Sequence, residues 1–149
     1  MLDQILAFFT NKTDIPLALT EDESAAVLMI EVMLADHEVD HRERDCISQI
    51  LAQRTGESAA AVEACIDIAL ERRHASSDLF QFTTVLNDQW NEQQRYQLVV
   101  DLWRVAYADG RLDKHEDHRI RRVADLLHLH HSHFIRAKAA ARPSDGERQ

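Results

Sequence analysis

Ala35-Asp36, Asp40, Glu43, Ile47 and Ile50 recur 73 residues further along the chain as Ala108-Asp109, Asp113, Glu116, Ile120 and Val123, and Val32 recurs as Val105. Apolar phase and acidic spacing both survive the shift, a coincidence that composition alone does not produce, so the chain carries one helical hairpin twice. Each copy reads as an apolar helix, an acidic turn and an amphipathic helix. Two such units bury their stripes best against each other, about a local pseudo-two-fold axis.

The remaining sequence supports the same class. Three Gly and two Pro in 149 residues leave few breaks, and Ala, Leu, Glu, Arg and Gln, all good helix formers, are abundant. The length suits one ordinary domain with its own core. The expected fold is all-α, a compact bundle of about seven helices in a single domain over residues 1–142, with a polar tail at 143–149. Residues 1–19 read as a docking helix carrying Leu2, Ile5, Leu6, Phe8 and Phe9, then a connector. Residues 20–54 form the first unit, opened by a Thr20-to-Glu23 capping box, its second helix starting at Asp40 with Cys46, Ile47, Ile50 and Leu51 inward and ending before Gly56. Residues 58–87 supply two intervening helices. Ser58 caps the first, with Val62, Cys65, Ile66 and Ala69 inward, and Leu79, Phe82 and Leu86 line the second, which ends near Asn87. Residues 91–128 form the second unit, from an Asn91-to-Gln94 capping box through Leu98, Val99, Leu102, Val105 and Ala106, then Asp113, Ile120, Val123 and Leu127. A last helix over 132–141, starting near Ser132, uses Phe134 and Ile135 and stops before Pro143.

Charge is unevenly spread. Of the formal −9, residues 1–70 hold 4 basic and 14 acidic side chains, net −10, and residues 71–149 hold 13 and 12, net +1. An acidic field of this kind repels phosphate backbones and draws cations or basic surfaces, which excludes nucleic acid as the main partner. The longest apolar stretch, 25–35, is interrupted by Glu31 and falls short of the roughly 20 residues that cross a bilayer. Cys46 and Cys65 sit on apolar stripes without a CxxC, so both are expected to be reduced core thiols of a cytoplasmic protein.

The Ala-Asp-x-x-x-Asp-x-x-Glu pattern after an apolar helix, present twice, resembles the TerB-like family, named for tellurite resistance protein B and also found as a segment of membrane-anchored DnaJ-like co-chaperones. The resemblance spans about residues 20–140. It implies an all-α bundle associated with tellurite resistance and stress operons, with a metal-binding role; the protein partner expected is a basic one, from the acidic first half, or a membrane-associated one. Two departures stand out. The family's Gly after the first Asp of the motif is kept as Gly110 but is His37 in the first unit, and the acidic residue that follows is kept as Glu38 but is Arg111 in the second. No His-Pro-Asp tripeptide is present, so the co-chaperone's J-domain activity does not carry over.

The candidate metal ligands are therefore Asp36, Asp40, Glu43, Asp109, Asp113 and Glu116, expected to converge at one end of the bundle. Oxygen donors favour a divalent cation such as calcium, magnesium or manganese over zinc, although six spread carboxylates fall short of an EF-hand loop. The competing reading needs no ligand. Asp40 with Glu43 and Asp113 with Glu116 also spell capping boxes, and Asp36 and Asp109 also suit Asx-turns, even though a helix C-terminus disfavours their charge. His128, His130, His131 and His133 are dense enough for a metal but scattered by helical geometry. Glu71 with His74, and Glu38 with His41, have the spacing of a di-iron motif in the wrong contexts. No phosphate loop, nucleophile elbow or zinc-protease helix occurs, so a non-enzymatic stress-associated protein is expected. The alternative is a metal-free interaction module using the acidic half, and a carboxylate/His metalloenzyme comes third.

Overall fold

The computed structural model describes residues 4–7, 20–33, 41–72, 79–108 and 114–142, and all regular structure among them is helical. A helical stretch at 4–7 (α1) is followed by α2 (Glu21–Met33), α3 (His41–Thr55), α4 (Ala59–Arg72), α5 (Leu79–Gln89), α6 (Glu92–Ala106), α7 (Lys114–Leu126) and α8 (His131–Ala141).

The first helix of each unit is central because it holds a run that is almost wholly apolar around the helix, so that run has no solvent face. Every residue of α2 from Glu23 to Ile30 is buried, as is every residue of α6 from Leu98 to Trp103. Their partners α3 and α7 are two-faced. Ile47, Ile50 and Leu51 on one, and Ile120, Val123 and Ala124 on the other, point inward from otherwise polar helices. α2 touches α3, α5, α6 and α7, and α6 touches α2, α3, α7 and α8. This pattern is symmetric under exchange of the units. The α2–α6 contact maps onto itself, and α2–α7 maps onto α6–α3, the arrangement of a pseudo-two-fold axis. Outside the units, α5 covers α2 and α8 covers α6. Ile5 of α1 is 1% exposed and joins the same core, as expected of a docking helix.

Local chemistry sets the ends. The Thr20 backbone N–H donates to Glu23 Oε1 at 2.8 Å and the Glu23 N–H donates to Thr20 Oγ1 at 3.2 Å, a capping box like the Asn91–Gln94 box that opens α6. The Ala61 N–H donates to Ser58 Oγ at 3.1 Å, which caps α4. Gly56 (φ 75°) and His128 (φ 57°) close α3 and α7 in the left-handed region.

Four expectations need correction. α5 runs to Gln89 rather than Asn87, because the chain stays helical until Trp90 N–H reaches Leu86 O at 2.9 Å and Asn91 then caps the next helix. α8 starts at His131, and Ile135 is 49% exposed instead of inward. Phe134 and Ala137 form its buried stripe, and a residue one position away is turned about 100° off it. Cys65 is buried as expected, but Cys46 is only half-buried. Among the described residues, no helix is long and apolar enough to cross a membrane.

Candidate functional site

The acidic turns join helices whose ends correspond. α2 stops at Met33 and α6 at Ala106, and α3 and α7 start at His41 and Lys114, all at the 73-residue shift. Asp36, Asp40, Asp109 and Asp113 lie outside the described residues, and so does the expected convergence of the two turns. Glu43 and Glu116 are each the third residue of their helix and are buried, at 8% and 6% exposure. Glu23 holds the same position in α2, is 4% exposed and caps that helix. A buried glutamate there is thus compatible with capping, and in two of its three occurrences it also follows an acidic turn. In the second unit α6 is capped at Tyr107, whose N–H donates to Trp103 O.

The histidine cluster is only partly held together, with the His130 and His133 rings edge-on at 6.4 Å between centroids. His128 is the left-handed cap of α7, His130 precedes α8, the His131 ring stacks on Phe134 with centroids 6.2 Å apart, and His133 Nδ1 lies 2.7 Å from Glu92 Oε1. Among the described residues no three His, Cys, Asp or Glu side chains are grouped to hold a metal ion. Of the di-iron spacings, the segments 38–40 and 73–78 lie outside the described residues. The thiols sit in unreactive settings. Burial pushes the Cys65 thiol up to about 11, and burial also raises Cys46, opposed in part by the charge of Arg104.

One polar feature escaped sequence reasoning. Asp101, in the middle of the apolar run of α6, is 8% exposed and accepts a hydrogen bond from Arg54 Nη2 at 2.7 Å, tying α3 to α6. Gln97 Nε2 donates to the other carboxylate oxygen at 3.1 Å. Applying the repeat shift to this pair would have exposed it, because the equivalent positions are Leu28 in α2 and Leu127 just after α7, both fully buried.

A family model described as tellurite resistance protein TerB matches residues 22–139. The chain belongs to the TerB family. Comparisons with curated proteins and with solved structures give no match. The TerB match runs from the first turn of α2 into α8, so it takes in both repeated units and both acidic turns.

Proposed function

We propose that this TerB-family chain is a non-enzymatic, cytoplasmic accessory protein of the tellurite and stress response that binds a divalent cation through Asp36, Asp40, Glu43, Asp109, Asp113 and Glu116. The observation that carries this reading is the duplication of the acidic turn together with its surroundings. Both copies place a buried glutamate, Glu43 or Glu116, on the third residue of a helix that begins immediately after an aspartate. Capping accounts for the Asp-x-x-Glu half of the motif. A cation accounts for the other half, since the sequence pattern puts Asp36 and Asp109 after apolar helices, and a carboxylate at a helix C-terminus is disfavoured by a few tenths to about 1 kcal/mol unless something neutralises it. The donors are all oxygen, which suits calcium, magnesium or manganese better than zinc.

Thermal melts of the chain with each of these four cations test the reading. A ligand bound only by the folded state raises the midpoint, by an amount equivalent to about 2.7 kcal/mol at a hundredfold excess over Kd. The gain should vanish in the Asp36→Asn, Asp109→Asn double variant, and a midpoint indifferent to all four would leave these acids as caps. Exposed Asp45 and Glu57, on and just after α3, favour the second reading, a metal-free module that docks a basic partner. That reading expects salt-sensitive binding to a basic protein with no metal response.

A further inference from the structure

α4 and α8 are themselves a corresponding pair. Beyond the left-handed residues Gly56 and His128 the repeat shift becomes 72, and at that shift Ser58 and His130, which precede the two helices, coincide, as do the buried Val62 and Phe134 and the buried Cys65 and Ala137. Each helix therefore turns the same side inward, α4 onto α3 and α8 onto α6, and the same side outward.

The outward sides differ in kind. Among the described residues, Ile68 on α4 and Ile135 on α8 are the large hydrophobic side chains left exposed, at 37% and 49%. A single exposed isoleucine is ordinary on a protein surface. Here the two fall one on each of two corresponding helices, in rows bordered by opposite charge. On α4, Ala60 and Ala64 lead to Ile68 at a spacing of four and are exposed with it, and Glu63 and Asp67 border the row. Arg44 reaches both carboxylates, at 2.7 and 2.6 Å, but as one cation against two acids it leaves that edge negative. On α8, Ala139 follows Ile135 at the same spacing, bordered by the exposed Arg136 and Arg142, and the helix holds no acidic residue.

These faces fit each other and not themselves. A contact of α4 with α4 would bring acid against acid, and one of α8 with α8 would bring arginine against arginine. Setting α4 against α8 pairs acid with arginine, and the alanines beside each isoleucine let the two helix backbones approach and leave room for the other copy's isoleucine.

We propose that α4 of one copy of this chain docks on α8 of a second copy, in a head-to-tail contact centred on Ile68 and Ile135. A paired copy keeps one face of the other kind open, so the contact propagates into a ring or a filament. None of the six acidic-turn residues lies on α4 or α8, so this contact stands or falls separately from the cation reading. Two short helices bury less than the roughly 1,600 Å² of a standard interface, and Kd is expected on the order of 100 µM.

Sedimentation equilibrium of the full chain is the test. As concentration rises through about 100 µM at about 0.1 M salt, the average mass should climb from 17.2 kDa past twice that value, and it should fall back at about 1 M salt, where the bordering charges are screened. Ile68→Gln and Ile135→Gln, altered at exposed positions and shown folded by circular dichroism, should each weaken self-association about tenfold. An equimolar mixture of the two should regain it and stop at a dimer, because the first variant keeps an intact α8 face and the second an intact α4 face. A symmetric α4 contact would instead leave Ile135→Gln associating alone, and a symmetric α8 contact would leave Ile68→Gln doing so. Either of those results, a mixture that stays monomeric, or a wild-type chain that stays at 17.2 kDa and so leaves these faces to solvent or to another protein, would overturn the proposal.

Discussion

The two hairpins share an apolar frame and differ in how polar groups close it. Ile47 and Ile120 are buried alike, as are Ile50 and Val123, yet three equivalent places diverge. Leu28 in α2 and Leu127 just after α7 correspond to Asp101 in α6 and Arg54 in α3, which pair with each other. The left-handed residue that closes the second helix is Gly56 in one unit and, one place before its repeat equivalent Leu129, His128 in the other. Arg44 and Asp117, which coincide at the repeat shift, carry opposite charges, and each clamps the helix that follows its own unit. Duplication fixed what must be apolar, because a core position tolerates little else, while each polar position needs only a partner that suits it. The places where the copies disagree are therefore where a particular use is to be sought.

The largest expected effect lies at the ion pair. Asp101→Ala would strand the Arg54 guanidinium, whose side chain is 16% exposed, and is expected to cost about 3 kcal/mol in urea or thermal unfolding. Arg54→Leu combined with Asp101→Leu restores the residues found at the equivalent buried positions, Leu127 and Leu28, and should recover most of that loss or exceed wild type, since well-packed apolar replacements of buried ion pairs are often neutral or stabilising. A double variant as unstable as the single one would show that the two interfaces are not equivalent in shape. The comparison would then fail at its strongest point.

The caps come next. Gly56 has no atom within 4 Å of where a Cβ would sit, so Gly56→Ala isolates the strain of a left-handed residue and should cost about 1 kcal/mol. His128→Gly removes the same strain from α7 and should gain roughly 0.5–1 kcal/mol. The α7 cap is otherwise complete. The Leu129 N–H donates to Ala124 O at 3.1 Å and the His128 N–H to Asp125 O at 3.0 Å, with Leu129 buried beneath. Opposite signs of these two changes in melting temperature are the expected result. A neutral or destabilising His128→Gly would mean that the imidazole contributes something beyond conformation.

Much of this frame was legible because it rests on short-range rules. Both capping boxes, the Ser58 cap, the Gly56 stop and the inward stripes of α3, α6 and α7 follow from spacing of a few residues. Ile135 was misplaced because an apolar residue beside Phe134 looks inward until the direction of the stripe is set by α6, a partner distant in sequence. The Arg54–Asp101 pair was missed for a related reason. Nothing within 47 residues of chain announces it, and an isolated charge in an apolar run reads locally as an interruption. For the candidate metal site the sequence supplies residue types and spacing, and the folded helices place only Glu43 and Glu116 of the six.

The smallest effect tests the clamps. Arg44 meets Glu63 Oε2 at 2.7 Å and Asp67 Oδ1 at 2.6 Å on α4, and Asp117 meets Lys138 at 3.0 Å on α8. All of these groups keep contact with water, so each clamp is worth at most about 1 kcal/mol. They should still differ. Removing Arg44 leaves Glu63 and Asp67, four residues apart on one helix, to repel each other, although Ser48 Oγ continues to donate to Glu63 Oε1 at 2.6 Å. Asp117→Ala leaves Lys138 its second contact, the Trp103 ring with its centre 5.0 Å away. Arg44→Ala should therefore lower the melting temperature more than Asp117→Ala. Raising ionic strength from about 0.1 M to about 1 M, which shortens the screening length from about 10 Å to about 3 Å, should shrink both losses. If Asp117→Ala proved the costlier, the Asp117 carboxylate would have to be holding more than Lys138, and the obvious second partner is Arg121, 3.7 Å away on the same helix with its guanidinium over Phe134. An Arg121→Ala variant would then reproduce part of the loss, moving the point of difference between the units from the clamp to the aromatic pair of Phe134 and Trp103 beneath it.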